Sequence, residues 1–207
     1  MKIYLATITV CALFLTGCSH NSKTSNIDQT DLQKQQIVLK RNKKKWHQQT
    51  KQVTHSTLST QKIIPKKNLS LNQLKKNSDF LIQGTVIDFS HNSSKKSTKA
   101  SIYVNHIISG SEDILGKNID IKLPGVIEQN VYYRSTQCPL PKLGQKIILR
   151  LDKTHNEYQV LAPNSNIWVE KDHEFVLNNQ TIRQEPCLKE ITEQLNQAIP
   201  YRYTDLC

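Results

Sequence analysis

The chain has 207 residues, 28 Lys+Arg against 17 Asp+Glu, and a formal net charge of +11. At this length it holds one domain with additions, not two full domains.

Residues 1–17 read as an export signal. Lys2 precedes an apolar run from Ile3 to Phe14, well short of the ~20 residues a membrane-spanning helix needs. The run ends in Leu15, Thr16, Gly17 and Cys18, and polar chain follows at once. This resembles the lipobox of bacterial lipoproteins. The resemblance implies a diacylglyceryl thioether on Cys18 and cleavage before it. It places the mature chain on the outer face of the cell membrane, with no cofactor beyond that lipid. A two-chain lipid is enough for stable anchoring.

Residues 18–67 form a basic arm. Ser19 to Lys67 carries 11 Lys+Arg and two acids, Asp28 and Asp31, whereas residues 68–207 carry 16 and 15. The formal charge therefore belongs mostly to the arm. Its Gln, Lys, Ser and Thr content predicts solvated chain, with an end-to-end distance of roughly 40 Å if fully coiled. A second reading stays open. Thr30 and Gln33 have capping-box spacing, and Leu32, Leu39, Trp46 and Val53 recur every seven residues, which allows a conditional surface helix. In both readings Lys40, Arg41, Lys43, Lys44, Lys45 and Trp46 are the residues that contact anionic headgroups or wall polyanions. An exported, lipid-held chain does not point to nucleic acid.

Residues 68–183 predict a β-domain entered by a short helix. Ser70 and Gln73 make a capping box, with Leu69 and Leu74 at the staple positions, so a helix is expected over about 71–77. Strands follow at Phe80–Phe89, at 99–110 with Ala100, Ile102, Val104, His106 and Ile108 sharing a face, at 117–125, and at 145–152. Three shorter ones are expected at 157–163, 166–170 and 173–182, the last folding back at Asn178 and Asn179. Gly84 marks a bulge or a close contact. Residues 184–207 close the chain with an amphipathic helix, Pro186 in its first turn and Leu188, Ile191, Leu195 and Ile199 on one face. The fold class is mainly β: a small antiparallel OB-like barrel with a short N-terminal and an amphipathic C-terminal helix.

Some of these stretches also resemble a family. Ser78-Asp79 before the apolar strand with Gly84 and Val86, Ile107-Ile108-Ser109-Gly110, Gly116, Ile119-Asp120-Ile121 and Pro124-Gly125 follow a pattern of exported lipoproteins of Gram-positive bacteria. Leu143 to Leu151 is similar to its late strand. The barrel implied is like that of netrin and metalloproteinase-inhibitor modules, over residues 70–182. Pro163 to Asn166 stand where the family has a Gly-Gly segment.

Chemistry-bearing residues are few. Cys138, Cys187 and Cys207 remain after export in an oxidising exterior, enough for one disulfide whose pairing the sequence leaves open. His173-Glu174 lacks the second histidine of a zincin, since position 177 is Leu. Asp172 and Glu174 read as a charged strand edge. His106 reads as a core histidine, and Trp168 as either core or, with Tyr132, Tyr133 and Arg134, part of a binding patch. The expected function is a non-catalytic surface module that binds a protein, peptide or wall polymer. The alternative is an inhibitor or immunity-type protein against an extracellular enzyme or toxin. An inhibitor of the metalloproteinase type would need a free N-terminal cysteine amine. Here Cys18 would be lipidated and about 50 residues ahead of the barrel.

Overall fold

A computed structural model describes residues 29–51, 54–58, 69–92, 97–128, 131–135 and 138–199. The lipobox, Val53 and Cys207 lie outside these residues. The elements in chain order are α1 (Gln29–Thr50), β1 (Thr54–Leu58), α2 (Leu71–Lys76), β2 (Phe80–Asn92), β3 (Ser97–Ser109), β4 (Asn118–Pro124), β5 (Val126–Glu128), β6 (Val131–Ser135), β7 (Lys146–Thr154), β8 (Glu157–Val160), β9 (Ile167–Lys171), β10 (Glu174–Leu177) and α3 (Pro186–Ala198). A 3-10 turn at Glu112–Ile114 separates β3 from β4.

The strands β7-β2-β3-β4-β8 form a closed five-stranded barrel, because β8 pairs with both β4 and β7. The fold is mainly β with flanking helices and is OB-like. Barrel pairing is antiparallel except at the closure, where Ile121 on β4 meets Tyr158 on β8 in parallel. Strand β7 makes the closure possible by dividing its free edge. Ile147 to Leu149 pair with β9, and Leu151 to Thr154 pair with β8. Strands β9 and β10 thus extend the sheet beyond the barrel. A separate three-stranded sheet joins β1, β6 and β5, with β1 parallel to β6. No sequence signal indicated β1 or the β5–β6 hairpin.

Two apolar cores lie on opposite faces of the sheet. The barrel interior holds Ile82, Val86, Phe89, Ile102, Val104, Ile121, Ile147, Leu149 and Leu151. The outer core holds Leu81, Ile148, Trp168 and Phe175 from the strands, sealed by Leu74 of α2 and Leu188, Ile191 and Leu195 of α3. Period-2 alternation along β2 and β7 feeds both. The capping box of α2 forms in both directions, Gln73 N–H to Ser70 Oγ and Ser70 N–H to Gln73 Oε1. Trp168 is core: it is fully buried, and its indole N–H donates to Thr192 Oγ1 at 2.9 Å.

Bulges decide the faces. Gly84 pairs with Val104 immediately after Gln83 pairs with His106, so Asn105 is the extra residue. Alternation along β3 slips there. Ile107 joins the barrel core and Ile108 the outer core. His106 is exposed, not a core histidine. Only glycine fits at 84, since a Cβ would stand 2.4 Å from Ile102 Cγ2 and 2.9 Å from the Tyr103 carbonyl oxygen.

Two histidines sit in hairpin turns. His155-Asn156 links β7 to β8 and Asp172-His173 links β9 to β10, all four at φ between 48° and 68°. Thr154 pairs with Glu157 and Lys171 with Glu174 across them, the two-residue loop with positive φ at both positions that matches strand twist. Asp172 and His173 are therefore turn residues, not a strand edge.

Candidate functional site

The arm is helical over Gln29–Thr50 and docks on the barrel. Its docking uses two members of the seven-residue repeat. Leu39 and Trp46 are half-buried against the barrel core, and the Trp46 ring lies 4.9 Å from that of Phe89. Between them Asn42, 6% exposed, donates from Nδ2 to the Ile87 carbonyl at 3.2 Å. That carbonyl stands at a further irregularity of β2, where register against β3 shifts between Val86 and Asp88. The amide of Asn42 thus satisfies a backbone acceptor that the ladder skips. The phenol of buried Tyr103 is pushed up by its burial and further by the carboxylate of Asp31.

The expected contact residues divide as a result. Trp46 is half-buried and turned toward the barrel, with its ring against Phe89. Lys43 leans over Gly144, where a Cβ would lie 2.7 Å from its Nζ. Lys40, Arg41, Lys44 and Lys45 are exposed. With Lys34 they surround Ile37, the one large apolar side chain exposed among the described residues, at 71%. Lys34, Lys40, Arg41 and Lys44 stand at i−3, i+3, i+4 and i+7 from Ile37, so they share its side of the helix. Only Lys34 has an acidic partner on α1, Asp31 at 3.0 Å. The outer face of α1 is therefore a cationic strip with an apolar centre.

Beside this strip α1 and the barrel form an open polar cleft of about 280 Å3. Val38, Arg41 and Asn42 form its helix wall, and β2, β3 and β4 supply its floor, including Asp88, Ser101 and Asn118. Lys99 and Asp120 bridge across the floor at 2.8 Å. Lys99 is raised above the usual ammonium range by its hydrogen bond and charge attraction to Asp120.

The remaining candidates do not converge. Cys138 is buried below Asn178, whose Nδ2 donates to its sulfur at 3.4 Å and to the Pro139 carbonyl at 2.7 Å. Burial pushes the Cys138 thiol up to about 11, against a smaller lowering by the Asn178 bond. Asn179 ties the same region to the Asn164 carbonyl. Pro163 and Asn164 are thus held through their carbonyls, by Cys138 Sγ at 3.4 Å and by Asn179 Nδ2 at 2.9 Å. Cys187 lies on α3 against the outer core and is not bridged to Cys138. A pairing with Cys207 falls outside the described residues, as do the side chains of Tyr132, Tyr133 and Arg134. His155 and His173 are exposed on their separate turns. Among the described residues no three His, Cys, Asp or Glu side chains are placed to hold a metal ion. No described helix is long and apolar enough to cross a membrane. No family model and no curated protein matches the chain.

Proposed function

We propose that this protein is a lipid-anchored lipoprotein of the outer membrane face, acting there as a non-catalytic binding module. It would belong with the exported Gram-positive lipoproteins it resembles. The observation that carries the reading is the pairing of Leu15-Thr16-Gly17-Cys18 with the cationic strip of α1. The lipid holds the chain to the bilayer. The strip then lays the barrel against anionic headgroups, each cation adding up to ~1 kcal/mol near such a surface. A helix fixed to the fold fits this role better than a loose tether, since its cations are already held on one side. The burial of Cys138, its raised thiol and the separation of His155 from His173 support binding over catalysis.

The deciding experiment is fractionation of cells that express Cys18→Ala. The variant is expected in the medium, or retained with its signal uncleaved. Surface retention of the processed variant, equal to wild type, would refute the lipobox reading.

A further inference from the structure

We propose that the cleft between α1 and the face of β2, β3 and β4 binds one unit of a neutral, hydroxyl-rich saccharide. This deepens the binding-module reading and relies on it for the choice of an envelope glycan as probe.

Charge is the first argument. Arg41 and Lys99 face Asp88 and Asp120 in the lining, so its formal charges cancel. A phosphate or polyanion would meet two carboxylates and gains more on the outer face of α1. A neutral ligand has no such conflict. Hydrogen-bonding character is the second. Guanidinium and ammonium groups only donate, carboxylates only accept, and the hydroxyl of Ser101 and amide of Asn118 do both. Saccharide hydroxyls likewise donate and accept, so each can be matched within the same small space. Preorganisation is the third. Asn42, on the cleft wall, is 6% exposed and its Nδ2 is committed to the Ile87 carbonyl, which holds this side of the cleft in place. The Lys99–Asp120 pair places a donor and an acceptor side by side on the floor.

Size and topology narrow the choice. About 280 Å3 lies just under the ~300–1,000 Å3 of sites for drug-sized ligands, which suits a single sugar ring of a longer chain. An extended peptide is disfavoured because β2 and β3 are each paired on both sides and offer no edge for strand addition. The cleft also needs α1 in place, since Arg41 and Asn42 form one wall. That links saccharide binding to the docking of the arm.

The test is an NMR titration of the isotopically labelled full chain, held in a detergent without a sugar headgroup, with chitotetraose and separately maltotetraose. Saturable shifts are expected for one of them, centred on Ser101, Asn118 and Arg41. Ser101→Trp, which fills the floor of the cleft, should weaken binding at least tenfold. Arg41→Ala, a change on an exposed helix face, should weaken it at least threefold and serves if the first variant does not fold. Absence of saturable shifts with both saccharides would overturn the proposal. So would shifts centred elsewhere, undiminished binding by folded variants, or tighter competitive binding of inorganic diphosphate or an acidic peptide at the same amides. Fractionation of Cys18→Ala reads anchoring independently, so loss of the cleft proposal is separable from loss of the anchoring one.

Discussion

Trp46→Ala should release α1 from the barrel without unfolding the barrel. The indole is half-buried and rests 4.9 Å from the Phe89 ring at a 50° tilt. Truncating a fully buried tryptophan costs about 3–5 kcal/mol. Half burial brings this to about 2 kcal/mol, with the aromatic pairing accounting for roughly 0.5–1.5 kcal/mol of it. The docked face has few substitutes: Leu39 packs nearby and Asn42 contributes one hydrogen bond. Freed from the barrel, a helix of this length and composition is marginal in water. A loss of about 2 kcal/mol corresponds to roughly a thirtyfold rise in the open population. Native-state amide exchange reads this directly, since local opening and global unfolding separate by segment. Amides of Leu39 to Thr50 should exchange about thirtyfold faster, while those of Ile82, Ile102 and Leu149 stay unchanged. Unchanged protection of α1 would show that the Trp46 contact does not hold it. Equal acceleration in the barrel strands would show that helix and barrel open as one unit. Either result refutes the reasoning.

Gly84→Ala should lower stability by about 1–3 kcal/mol, the usual cost of overpacking, because the methyl would meet Ile102 and the Tyr103 carbonyl; chemical denaturation that leaves the midpoint unmoved would refute the close approach. Cys138 has its folded-state thiol pKa raised from 9.0 to about 11, so the unfolded chain loses that proton first as pH rises. Its contribution to stability is present below pH 9, declines as pH climbs toward 11 and is then exhausted; Cys138→Ala should flatten this part of the stability profile, and an unaltered profile would refute the assignment. Native alkylation at pH 8 should label Cys187 before Cys138, which mass spectrometry checks, because the thiolate is the nucleophile. Lys40→Glu with Lys44→Glu should weaken binding to phosphatidylglycerol vesicles by at least tenfold at low salt and leave the thermal midpoint within about 2 °C, since exposed charge contributes little to folding; equal vesicle binding would refute the cationic-strip reading.

Local signals made much of the barrel legible. The Ser70–Gln73 capping box, the apolar spacing of Leu188, Ile191 and Leu195, and the strands beginning at Phe80 and Lys146 are written within a few residues of chain. Capping and side-chain periodicity act over that same distance, so they are readable without a partner. Leu32, Leu39 and Trp46 declared a shared face in the same way. What that face meets was decided by Phe89 and Ile87, far along the chain. The cleft walled by Arg41 and Asn42 depends on that encounter, so no motif announced it. Bulges at Gln83/Gly84 and Val86/Asp88 moved His106 to solvent and left the Ile87 carbonyl for Asn42, because an extra residue shows itself only against the partner strand. The parallel pairing of β1 with β6 and the single bridge that closes β4 onto β8 also join distant segments. Sequence by itself determined which residues are apolar, capped or turned, since those preferences are short-range. Tertiary structure alone decided which surfaces they cover, since burial is a property of two segments brought together.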